Sequence, residues 1–215
     1  KLIGLKNKEI IENQIRSLDK TDYQVTLFDC AKVDSSHGIS YMAMSHFLLS
    51  LGFLSNWIGM MEFNLMLENR YDKFLATVKE QNAGKDWYDI RKKMSAVPAL
   101  KKAILTFMSE DEYEETRKLI DERIKTYDAT KLKEDLSLYL EHYPEKKIVF
   151  FIDEMSEALS QKKINLLDLE GLSEALSSLG NRVWTVGIAQ QAFNDVLNAS
   201  GLNIHQLNKV EARFK

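Results

Sequence analysis

Residues 148–159 read IVFFIDEMSEAL, an apolar run ending in two adjacent carboxylates, Asp153 and Glu154. Ligands of open α/β sheets sit beyond the carboxyl ends of the strands, so acids at a strand end emerge at the binding edge. Neighbouring side chains of an extended chain point to opposite sides, so the two acids can take different tasks. In phosphoryl-transfer sites the first acid holds Mg²⁺, often through water, and the second orients the attacking water. That chemistry assigns Asp153 to a metal ion and Glu154 to a water. The plainer reading is that both acids cap the following turn. A second apolar run, RVWTVGIAQQ, ends in Gln190 and Gln191, where an amide could meet the terminal phosphate or that water. Arg213, in LNKVEARFK, is a candidate arginine finger acting in cis or on a neighbouring subunit. Solvent-facing glutamines and a surface arginine are the alternatives.

Strands and a crossover helix must position these groups. YQVTLFDC (23–30), IVFFID (148–153) and RVWTVGIA (182–189) are rich in β-branched and aromatic residues and read as strands. Between the last two, Leu169, Leu172, Leu176 and Leu179 form a helical stripe that Gly180-Asn181 stops. Strand, helix and strand in about forty residues make a βαβ unit with parallel neighbouring strands. Such strands are expected to be buried on both faces, which would explain their unbroken apolar runs. Residues 7–18, NKEIIENQIRSL, put Ile10, Ile11, Ile15 and Leu18 on one helical face, ahead of the polar turn 19–22.

From Ser40 to Tyr143 helical spacings recur and no strand pattern does. The expected organisation is an α/β core, 1–36 plus 144–215, interrupted by a helical insertion, 37–143. Ile39–Met61 carries no Asp, Glu, Lys or Arg, but six polar residues and two glycines interrupt it. Two buried helices fit it better than one span of ~20 apolar residues. The run Glu110–Glu115 reads as a solvated first helical turn, favoured by the helix dipole.

The 215 residues carry a net charge of −3, which gives no global basic field for nucleic acid. The clusters Arg91-Lys92-Lys93 and Lys101-Lys102 leave room for a local basic face. The single cysteine, Cys30, rules out an internal disulfide and reads as a buried, inert thiol in a reducing compartment. The four histidines have no metal-ligand spacing. No G-x-x-x-x-G-K-[ST] phosphate loop occurs, and Gly84-Lys85 runs into Asp86-Trp87 instead.

In order and spacing, KKIVFFIDEMSEAL, LLDLEGLSEALSSLGNRVWTVGIAQQAFNDV and LNKVEARFK resemble the large P-loop ATPase of BREX phage-defence systems (BrxC/PglY type). GKDWYDIRKK is similar to that family's KPW-E--R stretch. The resemblance covers most of 23–215. It implies a P-loop NTPase-like (AAA+/ASCE) parallel-sheet core with a large helical insertion, and ATP and Mg²⁺ as cofactors. Asp153 and Glu154 would be the Walker B pair, Gln190 the glutamine after the sensor strand, and Arg213 the arginine of the RF motif. It further implies a bacterial, cytoplasmic ATPase with no membrane segment, acting with other defence-complex proteins, through them on DNA, and in a homo-oligomer if Arg213 acts in trans. The phosphate loop would lie upstream of Lys1, so this piece would not turn over ATP alone. Ile188-Ala189 and Glu211-Ala212 depart from the family's pattern, which favours an alternative, a nucleotide-dependent scaffold that hydrolyses little. An unrelated STAND or AAA+ regulatory ATPase and a nucleic-acid-binding module are further alternatives.

Overall fold

The computed structural model describes residues 9, 13, 23–32 and 36–188. The chain divides into two compact units, Lys1–Val33 with Ala129–Lys215, and Asp34–Asp128. The first is an α/β unit built on a parallel sheet.

Three described strands form that sheet in the order β1 (Tyr23–Asp29), β2 (Lys147–Asp153), β3 (Val183–Gly187). All pair in parallel, with Tyr23 opposite Lys147, Asp29 opposite Asp153, and Ile148 opposite Val183. The helix α9 (Leu166–Ser177) carries the chain from β2 to β3, as the βαβ pattern requires. Asn165 starts it by accepting the Asp168 N–H at 2.8 Å. Gly180, at φ +69°, lets the chain turn out of it in the left-handed conformation. The helix α7 (Ala129–His142) packs on α9. Arg182 reaches back and donates to the carbonyls of Leu140, Tyr143 and Lys146, satisfying acceptors that the end of α7 leaves open.

The expectation that the strands are buried on both faces is corrected. Phe28, Ile148, Phe150, Ile152 and Val183 line a sealed inner face with Thr26. The other face carries Val25, Leu27, Trp184 and Val186, all exposed, and Val149 and Phe151, both half-buried. The apolar runs are unbroken because both faces are apolar, yet only one of them is sealed.

The second unit is helical: α1 (Gly38–Ser50), α2 (Trp57–Leu67), α3 (Tyr71–Gln81), α4 (Trp87–Ile90), α5 (Ala96–Ile104) and α6 (Glu110–Lys125). The stretch 39–61 forms two helices, α1 and the start of α2, and among the described residues no helix is long and apolar enough to cross a membrane. Gly59 makes their junction tight, because a Cβ there would lie 1.6 Å from the Leu54 carbonyl oxygen. The acidic run opens α6, where Ser109 accepts the Glu112 N–H at 3.2 Å.

Candidate functional site

The strand β2 ends at Asp153, and the helix α8 (Met155–Ser160) begins two residues later. Glu154 alone makes the turn, in the left-handed conformation at φ 57°, ψ 32°. For a residue other than glycine that backbone costs on the order of 1–2 kcal/mol. Both flanks hold it there. Cys30 N–H and the Cys30 thiol each donate to the Asp153 carbonyl at 3.0 Å. On the other side Met155 N–H donates to the Ile188 carbonyl at 3.3 Å, while Ile188 N–H donates to Ile152 at 2.8 Å. A strained residue persists only where its surroundings over-determine it, and such residues cluster at functional sites.

The plain capping reading meets an obstacle here. Glu154 occupies the N-cap position of α8, but its side chain makes no capping hydrogen bond. The Asp153 carboxylate accepts the Glu154 N–H through Oδ1 at 2.8 Å, which fixes its rotamer beside the strand end. Both carboxylates are half-buried at the carboxyl edge of the sheet.

Sequence reading left a third acid at this edge outside the site. Asp29 closes β1 directly across from Asp153. It accepts the Ala31 and Lys32 N–H groups and pairs with the Lys32 ammonium at 2.5 Å. The Lys32 hydrogen bond, with help from the backbone N–H groups, holds its carboxyl below the ordinary aspartate value. Its register position against Asp153 was the signal that a strand alignment would have exposed. Cys30 is fully buried, and burial pushes its thiol up to about 12, so it is no nucleophile at neutral pH.

Among the described residues no group of three or more His, Cys, Asp or Glu side chains could hold a metal ion. Gln190, Gln191 and Arg213 lie outside the described residues, as does most of 7–18.

In the helical unit a second carboxylate is more deeply placed. Glu62, on α2, is fully buried. Its Oε1 accepts from Tyr71 Oη at 2.9 Å, Trp87 Nε1 at 2.8 Å and Arg91 Nη1 at 3.0 Å, and its Oε2 from Leu54 N at 3.1 Å. Arg91 Nη2 also donates to the Gly52 carbonyl at 2.6 Å. The spacing of Trp87 and Arg91 in KDWYDIR thus puts both donors on one acid. Glu62 went unnoticed in the sequence, although a lone acid inside WIGMMEFNLML was signal enough. The basic clusters are reduced accordingly: Arg91 is committed to Glu62, and Lys101 is paired with Glu110 and Glu114.

Comparison of the chain with protein-family models, with curated proteins and with solved structures found no match. The fold and the edge define an α/β protein with a three-stranded parallel sheet in its described part and paired acids where its central strand ends.

Proposed function

We propose that the chain is part of an ATP-binding and ATP-hydrolysing P-loop ATPase, with Asp153 and Glu154 as its paired acids. The observation that carries this is the Glu154 turn: an acid on a strained backbone at the carboxyl edge of the central parallel strand. A structural cap would relax the backbone and bond the helix. This residue does neither. The strand order β1-β2-β3, with the acid-bearing strand between its two neighbours, agrees with the resemblance set out above.

In this reading Asp153, its rotamer set by the Glu154 N–H, orients the water shell of a Mg²⁺ ion. Glu154 accepts a proton from, or aligns, the attacking water. Bound Mg·ATP supplies the phosphoryl group and the charge that the site must stabilise. The described residues include no backbone cradle for the phosphates, so that part of the site has to come from elsewhere in the protein. Gln190 and Arg213 would complete the site. The biological setting, a cytoplasmic BREX-type anti-phage complex with protein partners and DNA, rests on the sequence resemblance alone.

The test is calorimetry with Mg·ATP on the 215-residue chain and on a chain extended upstream, followed by turnover of the binding form. Glu154→Gln is expected to leave binding intact and to lower hydrolysis at least ~10²-fold, the usual scale for a general base. Failure of the extended chain to bind nucleotide would sink the reading. A Glu154→Gln protein that hydrolyses at the wild-type rate would remove Glu154 from it.

A further inference from the structure

Two left-handed residues bracket α8. Glu154, at φ 57°, precedes it, and Lys162, at φ 56°, follows its end. That end is a complete Schellman motif. Lys162 N–H donates to the Leu159 carbonyl at 3.1 Å, and Lys163 N–H to the Ala158 carbonyl at 3.0 Å. Ala158 and Ile164 are buried, so the backbone on both sides of the motif is anchored. An apolar contact frequently accompanies such a motif from the residue after the left-handed one. Here that residue is a lysine, and Lys163 Nζ donates to the carbonyl of Ala31, in the turn that follows β1.

That bond closes a ring. From Ala31 the chain runs back to Cys30, whose N–H and thiol donate to the Asp153 carbonyl. From Asp153 it runs through Glu154 and α8 to Ala158, whose carbonyl accepts the Lys163 N–H. The Lys163 side chain then returns to Ala31. Glu154 and its left-handed turn are part of this ring. Without the Lys163 bond the ring is open at the turn after β1.

We infer that Lys163 is a positioning residue of the candidate site: it ties the turn after β1 to the end of α8 and so helps to hold the Glu154 backbone in place. The plainer reading is an exposed lysine whose contact with Ala31 does nothing, and Lys163 is exposed as a residue. Two observations weigh against it. Ala31 is buried, and a buried carbonyl left without a partner costs free energy. The Schellman motif also fixes where the side chain starts, so less freedom is lost when its ammonium reaches that carbonyl. The link to catalysis rests on the ATPase reading, whereas the tie between Lys163 and the turn does not.

Cys30, the one cysteine of the chain, reports on the ring. Its thiol is fully buried and pushed up to about 12, so iodoacetamide labels it at neutral pH only when the turn after β1 opens. In the 215-residue chain Lys163→Met is expected to speed that labelling about three- to tenfold, the size of one net hydrogen bond, with the gain present in the absence of urea. Lys162→Met, beside it, is expected to leave the rate within about twofold. On the chain extended upstream, Lys163→Met is expected to lower kcat about three- to tenfold and to leave the Kd for Mg·ATP within about twofold. Unchanged labelling overturns the inference, and so does a gain that Lys162→Met reproduces. A gain that appears only as urea unfolds the whole chain overturns it as well. Faster labelling with kcat unchanged means a tie that positions nothing at the site, which also overturns it. If the extended wild-type chain hydrolyses no ATP, the ATPase reading fails, and labelling alone decides whether Lys163 holds the turn.

Discussion

Glu62 and Glu154 are both glutamates at helix-rich junctions, and the protein treats them in opposite ways. Glu62 is sealed from water and receives four hydrogen bonds, from Leu54, Tyr71, Trp87 and Arg91. Glu154 is half-buried, caps no helix, and sits on a backbone that L-residues avoid. A buried charge is tolerated only when its lone pairs are filled, so the first arrangement is what structure demands. The second sits on a left-handed backbone and does not cap the helix it precedes. Burial alone would have ranked these two acids the other way round.

The contrast is broken most easily at Glu62. Glu62→Ala strands Arg91, whose side chain is only 10 % exposed, without its partner. Removing one member of a buried pair costs about 3–5 kcal/mol. Urea unfolding of the helical unit should show a loss of that size. A loss under about 1 kcal/mol would mean that Arg91 finds water, and that the hub is not what holds α2, α3 and α4 together.

Glu154 sharpens the contrast through its backbone. Glycine relieves about 1–2 kcal/mol of left-handed strain. It also adds unfolded-state entropy worth about 0.4–1 kcal/mol. Glu154→Gly should therefore be more stable than Glu154→Ala by about 0.5–1 kcal/mol, read as a shift of the urea midpoint at constant slope. Both variants lose the carboxylate, so both should lose any hydrolysis that depends on it. Equal stabilities would remove the strain argument and with it the observation on which the function rests.

Sequence patterns reached the strands well and the site in part. β1, β2 and β3 fall within a residue or two of their apolar runs, because β-branched and aromatic runs bounded by turn residues have few other uses. The one-sided sheet was out of reach: Val25 and Leu27 look the same in a sequence whether or not something covers them. Helix spacing in Leu132, Leu136 and Leu140 announces α7 but not its companion. The packing of α7 on α9 is a tertiary choice, made partly by Arg182 some forty residues away. That Asp153 and Glu154 stand where β2 ends was legible, because the apolar run stops at them. The left-handed turn at Glu154 was not, since nothing in DEM calls for it. It is imposed by Cys30 and Ile188, which reach it from neighbouring strands.

Asp29 offers the smallest test and the finest one. It faces Asp153 across the sheet, yet its own loop satisfies it, as the helical unit satisfies Glu62. Its folded pKa is depressed, first by the Lys32 hydrogen bond, so it favours the folded state above the ordinary aspartate value of 3.8. That stability is lost as the pH falls through the lower folded value. Lys32 is exposed, so the ion-pair share is small and salt should shrink it further, while the share from the two backbone N–H groups should survive. Thermal unfolding between about pH 5 and pH 2 should therefore fall less steeply for Asp29→Asn than for the wild type, with the difference narrowing but not vanishing at high salt. At neutral pH the same substitution should leave nucleotide hydrolysis within about twofold, because three donors of its own loop already hold this carboxylate in place. If Asp29→Asn instead abolishes turnover as Glu154→Gln should, the division between satisfied and strained carboxylates fails at the place where the two kinds stand side by side.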